Sequence, residues 1–429
     1  MNPSENVVVI GSGIAGMEAS LLLSKAGKTV YLVERLPLIG GNVIKTGESF
    51  PNMECSTCLV APIQQEILQD KNINVLTVSE VEEVNGEAGN FEVNILKHAR
   101  YVNLTACLGC GMCYPVCPVT QSNDWEQDMV EKKAIYVECA GSLPNVPMID
   151  PKLCLRLNGT NECNLCMEAC MFGAIDFDEK DELLKINCGA IIAANGFDTL
   201  KGNELSKWGY GKYPGIYTAY EIERLLAANG PTEGKVLLRG GEKVPESAAI
   251  IHCVGRDQIG YCSNVCCSYS ARHAHFLKEK VHGIKLYALY TDLCLPDKFY
   301  QKLNEDIRKT TAEYIFHQGL NDLKITENGD KLQIKYLDKG NNKKSLDVDM
   351  VILTAAIKPA AGSEKLAETL GIKLDKFGFI STDKMQSGSI NTSVEGIFAA
   401  GCSEGPKDIP LSVMQTEAAV AKIMRLLEN

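Results

Sequence analysis

The sequence predicts an α/β protein made of two alternating α/β domains, with a small cysteine-rich domain inserted into the first. Three observations predict it. A glycine-rich turn sits between an apolar run and a helical pattern near the N-terminus. Two sets of four closely spaced cysteines then interrupt that α/β pattern before a strand-plus-glycine segment resumes it. A second alternating α/β stretch follows, and the chain closes on another strand-plus-glycine segment and a helix. The expected boundaries are 1–101 for the first part of the first domain, 102–178 for the insertion and 179–212 for the return segment. The second α/β domain takes 213–349, and 350–429 completes the first.

Composition removes several function classes. Hydrophobic residues make up 45% of the 429 and charged residues 23%, with no low-complexity run, so disorder is not expected. The net charge of −11 is spread without a basic stripe, which argues against nucleic acid as a partner. No signal-like N-terminus and no bilayer-length apolar run are present, so a cytoplasmic protein without a direct membrane span is expected. Eighteen cysteines in such a chain point to metal binding rather than to a disulfide framework.

The first motif is Gly11-Ser12-Gly13-Ile14-Ala15-Gly16, preceded by the apolar run Val7 to Ile10 and followed by a helical pattern through Leu23. Glycines there permit a tight turn, close approach of backbone to a pyrophosphate, and close helix–strand packing; the helix N-terminus faces the phosphate charge. The next strand, Thr29 to Val33, ends at Glu34, where an acidic residue meets a ribose hydroxyl. Arg35 and a second glycine pair, Gly40-Gly41-Asn42, follow. This arrangement resembles the thioredoxin reductase-like two-dinucleotide-binding flavoproteins, and the resemblance implies FAD at Gly11, Gly13, Ala15, Gly16, Glu34, Arg35, Gly40, Gly41 and Asn42. Ala190 to Gly196, with Asn195 and Gly196, resembles the element that returns the chain to the FAD domain. Gly396 to Cys402 resembles the last FAD motif, with Gly401 followed by Cys402 where that family often has Asp. Lys407, Asp408 and Ile409 then open a helix whose N-terminus is expected toward the flavin.

Cys107, Cys110, Cys113 and Cys117 with Pro118 match C-x2-C-x2-C-x3-C-P, the spacing that gives three thiolates to one [4Fe–4S] cluster and the fourth to its neighbour. Cys154, Cys163, Cys166 and Cys170 repeat it with a widened first gap. The two-cluster pattern therefore groups Cys107, Cys110, Cys113 and Cys170, and separately Cys117, Cys154, Cys163 and Cys166. Phe172 to Ile175 also resembles bacterial ferredoxins. The competing reading is a pair of zinc knuckles, which rarely carry the x2-C-x3-C-P continuation.

In the second α/β domain, Ala248 to His252 and Ile284 to Leu289 read as strands, but no G-x-G-x-x-G lies between them. The segment holds Cys253-Val254-Gly255-Arg256-Asp257 and Tyr261-Cys262-Ser263-Asn264-Val265-Cys266-Cys267, whose side chains would obstruct a pyrophosphate. Standard NAD(P)H binding is therefore not expected. On spacing alone, Cys253, Cys262, Cys266 and Cys267 fit either a third cluster or buried packing residues.

Taken together, these motifs and Cys55-Ser56-Thr57-Cys58 resemble the A subunit of heterodisulfide reductase over nearly the whole chain. The resemblance implies FAD and multiple [4Fe–4S] clusters, and a third cluster at Cys253, Cys262, Cys266 and Cys267. It implies an oxidoreductase component of a hetero-oligomer, with a homodimeric core as one arrangement. Partners would be heterodisulfide reductase-like B and C subunits, ferredoxin and a hydrogenase or dehydrogenase module, with electron bifurcation or confurcation at the flavin. Longer members add a cluster domain at each end; Met1 and Asn429 here flank the FAD domain directly. The rivals are a self-contained NAD(P)H oxidoreductase, similar to the glutamate synthase small subunits, and a zinc-bound scaffold.

Cys55 and Cys58 open a helical segment, Leu59 to Leu68, and are expected near the flavin as a dithiol or as cluster ligands. Cys139, Cys188, Cys294 and Cys402 stand alone and read as packing residues. His273 and His275 face different sides of one helix and read as structural. Lys339 to Lys344 reads as a charged hairpin turn.

Overall fold

The computed structural model describes residues 5–50, 53–241, 243–296, 298–383 and 389–428; Met1 and Asn429 lie outside them. The chain divides into two units, one of residues 1–44, 58–196 and 359–429, the other of 45–57 and 197–358.

The first unit is built on a five-stranded parallel sheet in the order Ile397–Ala399, Ala190–Ala193, Asn6–Ile10, Thr29–Glu34, Ile73–Thr77. Strand alternation assigns its two faces. Val7 and Val9 enter the core beneath the helices Ile14–Lys25 and Ile409–Leu427, which pack on each other. Val8 and Ile10 enter a second core with Phe91, Val93 and Ile95 of a three-stranded antiparallel sheet. That sheet holds the strands Ser79–Glu87, Asn90–Lys97 and Glu182–Cys188.

The cysteine-rich insertion departs and returns across one rung of this second sheet, because Lys97 pairs with Glu182. An insertion at the open end of a two-strand ladder leaves the ladder intact. The insertion contains two short antiparallel pairs, Thr120–Ser122 with Glu131–Lys133 and Ile135–Tyr136 with Met148–Ile149. Its hydrophobic cluster is small, with Val102, Ile135, Val146, Ile149, Ile175 and Phe177 interleaved with cysteines. So little apolar burial rarely sustains a fold without metal.

Arg100 ties the insertion to the first parallel sheet. It is buried, and its guanidinium donates to the carbonyls of Pro37 (2.6 Å) and Val146 (2.8 Å) and to the Thr77 hydroxyl (2.9 Å). The Ile39 amide also donates to Leu143 O at 2.9 Å. Trp125 and Cys139 of the insertion join the first core.

The second unit is another five-stranded parallel sheet, Ile216–Thr218, Met350–Ala355, Ser247–Val254, Lys285–Tyr290, Glu313–Phe316 in order. The helices Ala219–Leu226 and Cys266–Lys280 pack on it. An antiparallel sheet of Lys324–Asn328, Lys331–Leu337 and Lys343–Val348 completes it; its last turn is closed by Asp338, which accepts from the amides of Gly340 and Asn342.

The unit boundaries differ from those expected at three places. Residues 197–212 join the second unit, where the Leu200 amide donates to Ala356 O at 3.0 Å and Lys358 pairs with Glu204 at 2.7 Å. Residues 350–358 join it too, because Met350–Ala355 is an interior strand of its sheet. Residues 45–57 follow because Arg224 donates to Lys45 O at 3.0 Å and Arg272 donates to Glu48 O. Among the described residues no helix is long and apolar enough to cross a membrane.

Candidate functional site

The glycine turn sits at the C-terminal edge of the first sheet, where the strands Asn6–Ile10 and Ala190–Ala193 end side by side. Gly11 has φ +100°, and a Cβ there would lie 2.3 Å from Ala194 O; one at Gly16 would lie 1.8 Å from Gly11 O. Both positions exclude any side chain. Gly13 differs: a Cβ there meets nothing within 4 Å. Gly13 is the N-cap of the Ile14–Lys25 helix, so open space stands where a phosphate would approach the helix N-terminus.

Glu34 is buried at the end of the neighbouring strand. Its carboxylate accepts from the Ser12 amide (2.8 Å), the Ser12 hydroxyl (2.7 Å) and the Leu36 amide (2.9 Å), which fixes the turn against the strand. A ribose hydroxyl would share this carboxylate. The second glycine pair packs on the first turn: Gly40 donates its amide to Ser12 O at 2.9 Å, and a Cβ on Gly41 would lie 2.6 Å from Gly13 Cα. Arg35 turns aside and donates to Ala361 O at 2.8 Å. Asn195 donates to Ser363 Oγ at 2.9 Å, while its buried Oδ1 has no hydrogen-bond partner. An unsatisfied buried acceptor beside a glycine turn is a position a ligand donor would fill.

Gly401 and Cys402 close the same sheet edge. The Gly401 amide donates to Gln415 Oε1 at 2.9 Å, and the buried Cys402 thiol donates to Lys407 O at 3.3 Å. Cys402 cannot supply the carboxylate that Asp would place here, and burial pushes its thiol pKa up. Lys407 is buried, donating to Gly401 O (2.7 Å), Glu404 (2.9 Å) and Gly405 O (3.0 Å). Asp408 caps the Ile409–Leu427 helix by accepting from the Leu411 amide at 2.9 Å.

The insertion brings its eight cysteines together in the two groups expected. One cavity is lined by Cys107, Cys110, Cys113 and Cys170. The other is lined by Cys117, Cys154, Cys163 and Cys166. Cys117 and Cys170 each cross to the set opposite their sequence neighbours. Backbone amides already point at two sulfurs, Gly109 N–H to Cys107 Sγ at 3.4 Å and Ala174 N–H to Cys170 Sγ at 3.3 Å. Burial pushes the Cys113 thiol up to about 12, and the sulfurs of Cys107, Cys166 and Cys110 push the same way. Burial likewise raises Cys166 to about 11, reinforced by Cys154, Cys117 and Cys163. Such thiols ionise only when a cation replaces the proton. Among the described residues no three such side chains converge as a single metal ion requires. A cube of iron and sulfide takes four thiolates around one site, and each cavity is lined by four cysteines.

In the second unit Cys253 ends the Ser247–Val254 strand, and Cys266 and Cys267 open the Cys266–Lys280 helix. Cys262 lies in the loop between, where the Asn264 amide donates to its sulfur at 3.4 Å. Cys253, Cys262 and Cys267 all act on Cys266, whose thiol is pushed up first by its hydrogen bond with Cys267 and then by burial; Cys267 is pushed down by the same bond. The preceding His252 is buried, with Nδ1 unpartnered. Gly255 serves packing here, since a Cβ would lie 2.1 Å from Leu200 Cδ1. One further thiol joins them that the sequence did not signal. Cys294, expected to be an isolated packing residue, donates its amide to Cys267 Sγ at 3.4 Å and its thiol to Asn264 Oδ1 at 3.1 Å.

Cys55 is exposed in a two-residue strand opposite Glu48, and Cys58 is exposed in the first turn of the Ser56–Gln69 helix. His273 is buried on Glu223 Oε1 at 2.7 Å, while His275 is exposed beside Glu279, so the two face apart.

Residues 1–112 match the pyridine nucleotide-disulphide oxidoreductase family. The A subunit of the H(2):CoB-CoM heterodisulfide,ferredoxin reductase of Methanothermobacter thermautotrophicus is 35% identical over 431 residues, covering 97% of this chain and 63% of that protein. The iron-sulfur A subunit of the CoB–CoM heterodisulfide reductase of Methanocaldococcus jannaschii is 34% identical, covering 98% and 64%. Over nearly its whole length the chain is similar to heterodisulfide reductase A subunits, as an A-like flavoprotein. It spans a little under two thirds of the length of these relatives. Among solved structures, the chain is similar to thioredoxin reductase from T. acidophilum, at TM-score 0.54 and 14% identity, covering 98% of this chain and 99% of that one. Thioredoxin reductase from Lactococcus lactis matches at TM-score 0.53 and 15% identity, with 99% of both chains covered. At those identities the likeness concerns the fold, which is the two-dinucleotide-binding arrangement expected.

Proposed function

We propose that this chain is the FAD- and [4Fe–4S]-bearing electron-transfer component of a heterodisulfide reductase-like oxidoreductase complex that exchanges electrons with ferredoxin. One observation carries the reading: eight thiols sort four and four around two cavities in the unit that contains the FAD-type glycine turn. In this reading Cys107, Cys110, Cys113 and Cys170 hold one cluster, Cys117, Cys154, Cys163 and Cys166 a second, and Cys253, Cys262, Cys266 and Cys267 a third. FAD lies along Gly11, Gly13, Ala15, Gly16 and Glu34, bounded by Gly40, Gly41, Asn42, Asn195, Gly196, Gly401 and Lys407. Bound flavin exchanges electrons singly or in pairs and a cluster exchanges one at a time, so together they connect two-electron and one-electron partners.

The protein residues supply position and electrostatics. The Ile14–Lys25 helix N-terminus would receive the pyrophosphate and Glu34 would orient the ribose, while Arg100 holds the insertion against the loop carrying the second glycine pair. Amide donors on Cys107 and Cys170 stabilise sulfur charge and so favour the reduced cluster. Exposed Leu108, Met112 and Phe172 line the first cavity, with Met171 82% exposed beside them. An apolar rim at a redox site suits docking of another protein, which supports a complex component over a free enzyme.

B- and C-type subunits and a hydrogenase or dehydrogenase module are the expected partners, in a cytoplasmic complex. The test is a complex reconstituted without oxygen, supplied with reduced ferredoxin and a heterodisulfide. Turnover is expected, and Cys113→Ala abolishes it while FAD stays bound. A complex loaded with FAD and iron that does not oxidise ferredoxin would overturn the proposal.

A further inference from the structure

Five thiols, rather than four, gather at the third cysteine site. The parallel sheet brings the fifth there. The Ser247–Val254 and Lys285–Tyr290 strands are neighbours in register, with Ile251 opposite Leu289, so the segments leaving their C-terminal ends emerge at one edge. One segment carries Cys253 and Cys262; the other carries Asp292 and Cys294. They are bound together at several points. The Asp292 carboxylate takes both contacts from Arg256 Nη1 (2.6 and 2.8 Å) and lies 3.9 Å from Cys253 Sγ. Cys294 donates its amide to Cys267 Sγ at 3.4 Å. Its thiol donates at 3.1 Å to the side chain of Asn264, and the Asn264 amide donates at 3.4 Å to Cys262 Sγ.

The four sequence-adjacent thiols are not held alike. Cys253 lies in the Ser247–Val254 strand, with φ 60 at a register shift of the ladder, and Cys266 and Cys267 lie in the first turn of a 15-residue helix. Cys262 sits in a loop of irregular backbone between Gly260 (φ 81) and Asn264 (φ 61). Of the four, it is the thiol outside strand and helix, and its side chain meets that of Cys294, whose amide meets Cys267.

We propose that Cys294 is an exchangeable fifth ligand of the third site, able to take the coordination position of Cys262. In the exchange the Cys294 thiol releases its proton to solvent and forms an iron–sulfur bond. The iron–sulfur bond to Cys262 breaks, that thiolate takes up a proton, and no electron changes hands. The inference rests on the third-cluster reading.

The experiment compares wild type, Cys262→Ala, Cys294→Ala and the double variant, each isolated without oxygen. Iron per FAD and the electron paramagnetic resonance spectrum of the dithionite-reduced protein are read. Wild type at about twelve iron supports the third cluster, and at about eight removes it before the exchange is tested. Given about twelve, both single variants are expected to keep that iron, Cys262→Ala with a changed spectrum. The double variant is expected to fall to about eight with FAD retained. Loss of about four iron from Cys262→Ala alone overturns the proposal, as does a double variant that keeps its full iron.

Discussion

Each cavity wall in the insertion borrows one cysteine from the other sequence set, and this crossing makes the residue assignments testable one at a time. Cys117→Ala is expected to remove the cluster grouped with Cys154, Cys163 and Cys166, taking about four iron, while the signal of the Cys107 group persists. Cys170→Ala is expected to do the reverse. Iron analysis with spectroscopy of the reduced protein separates them; the opposite pattern would refute the grouping. The three glycines of the turn also divide. Gly13→Ala is expected to leave apoprotein stability unchanged while weakening FAD at least tenfold, about 1.4 kcal/mol, because the new methyl enters open space reserved for phosphate. Gly11→Ala and Gly16→Ala are expected to destabilise the apoprotein by roughly 1–3 kcal/mol, since each Cβ meets backbone. Thermal melts and flavin titration check both. The eight-thiol grouping was legible in the sequence because a local spacing encodes it. Cys294 was not, because it reaches its neighbours only through the order of strands in a sheet.

At the scale of elements, Arg100 joins the strand-edge insertion to the flavin-type loop. Arg100→Met removes donors from Pro37 O, Val146 O and Thr77, and is expected to cost about 3 kcal/mol locally. Amide exchange across residues 134–150 should then accelerate about 100-fold, and unchanged protection would contradict the role. His98 gives a pH-dependent contact in the same unit. Burial pulls its imidazole down, but the carboxylates of Asp181 (2.9 Å) and Glu80 (3.2 Å) outweigh it and hold the pKa above 6.5. The raised folded value means this contribution is full below the unfolded pKa and is lost as pH rises through the folded one. All three groups are partly exposed, so it stays below about 1 kcal/mol. His98→Gln should flatten the stability difference between pH 5.5 and 8. Strands and helices were largely legible, as hydrophobic periodicity gives Thr29 to Glu34 and Lys285 to Tyr290 almost to the residue. Unit boundaries were less so. Residues 45–57 belong with the second unit through buried arginines that bind backbone carbonyls, and a carbonyl carries no sequence signature.

At the scale of the whole molecule, the parallel sheet of the second unit keeps the Rossmann-type strand order but not its phosphate turn. Cysteines stand where that turn would be, and Gly255 is favoured by its own φ of +84°. NADH and NADPH are therefore expected to leave the flavin of the isolated chain oxidised; rapid bleaching by either would restore the self-contained oxidoreductase. The central claim is that one chain holds FAD and cubane clusters together. The most direct test is metal and flavin analysis of the protein isolated without oxygen. About one FAD and about twelve iron with matching sulfide are expected per chain. A preparation that is free of iron, or that carries zinc in its place, would contradict the claim.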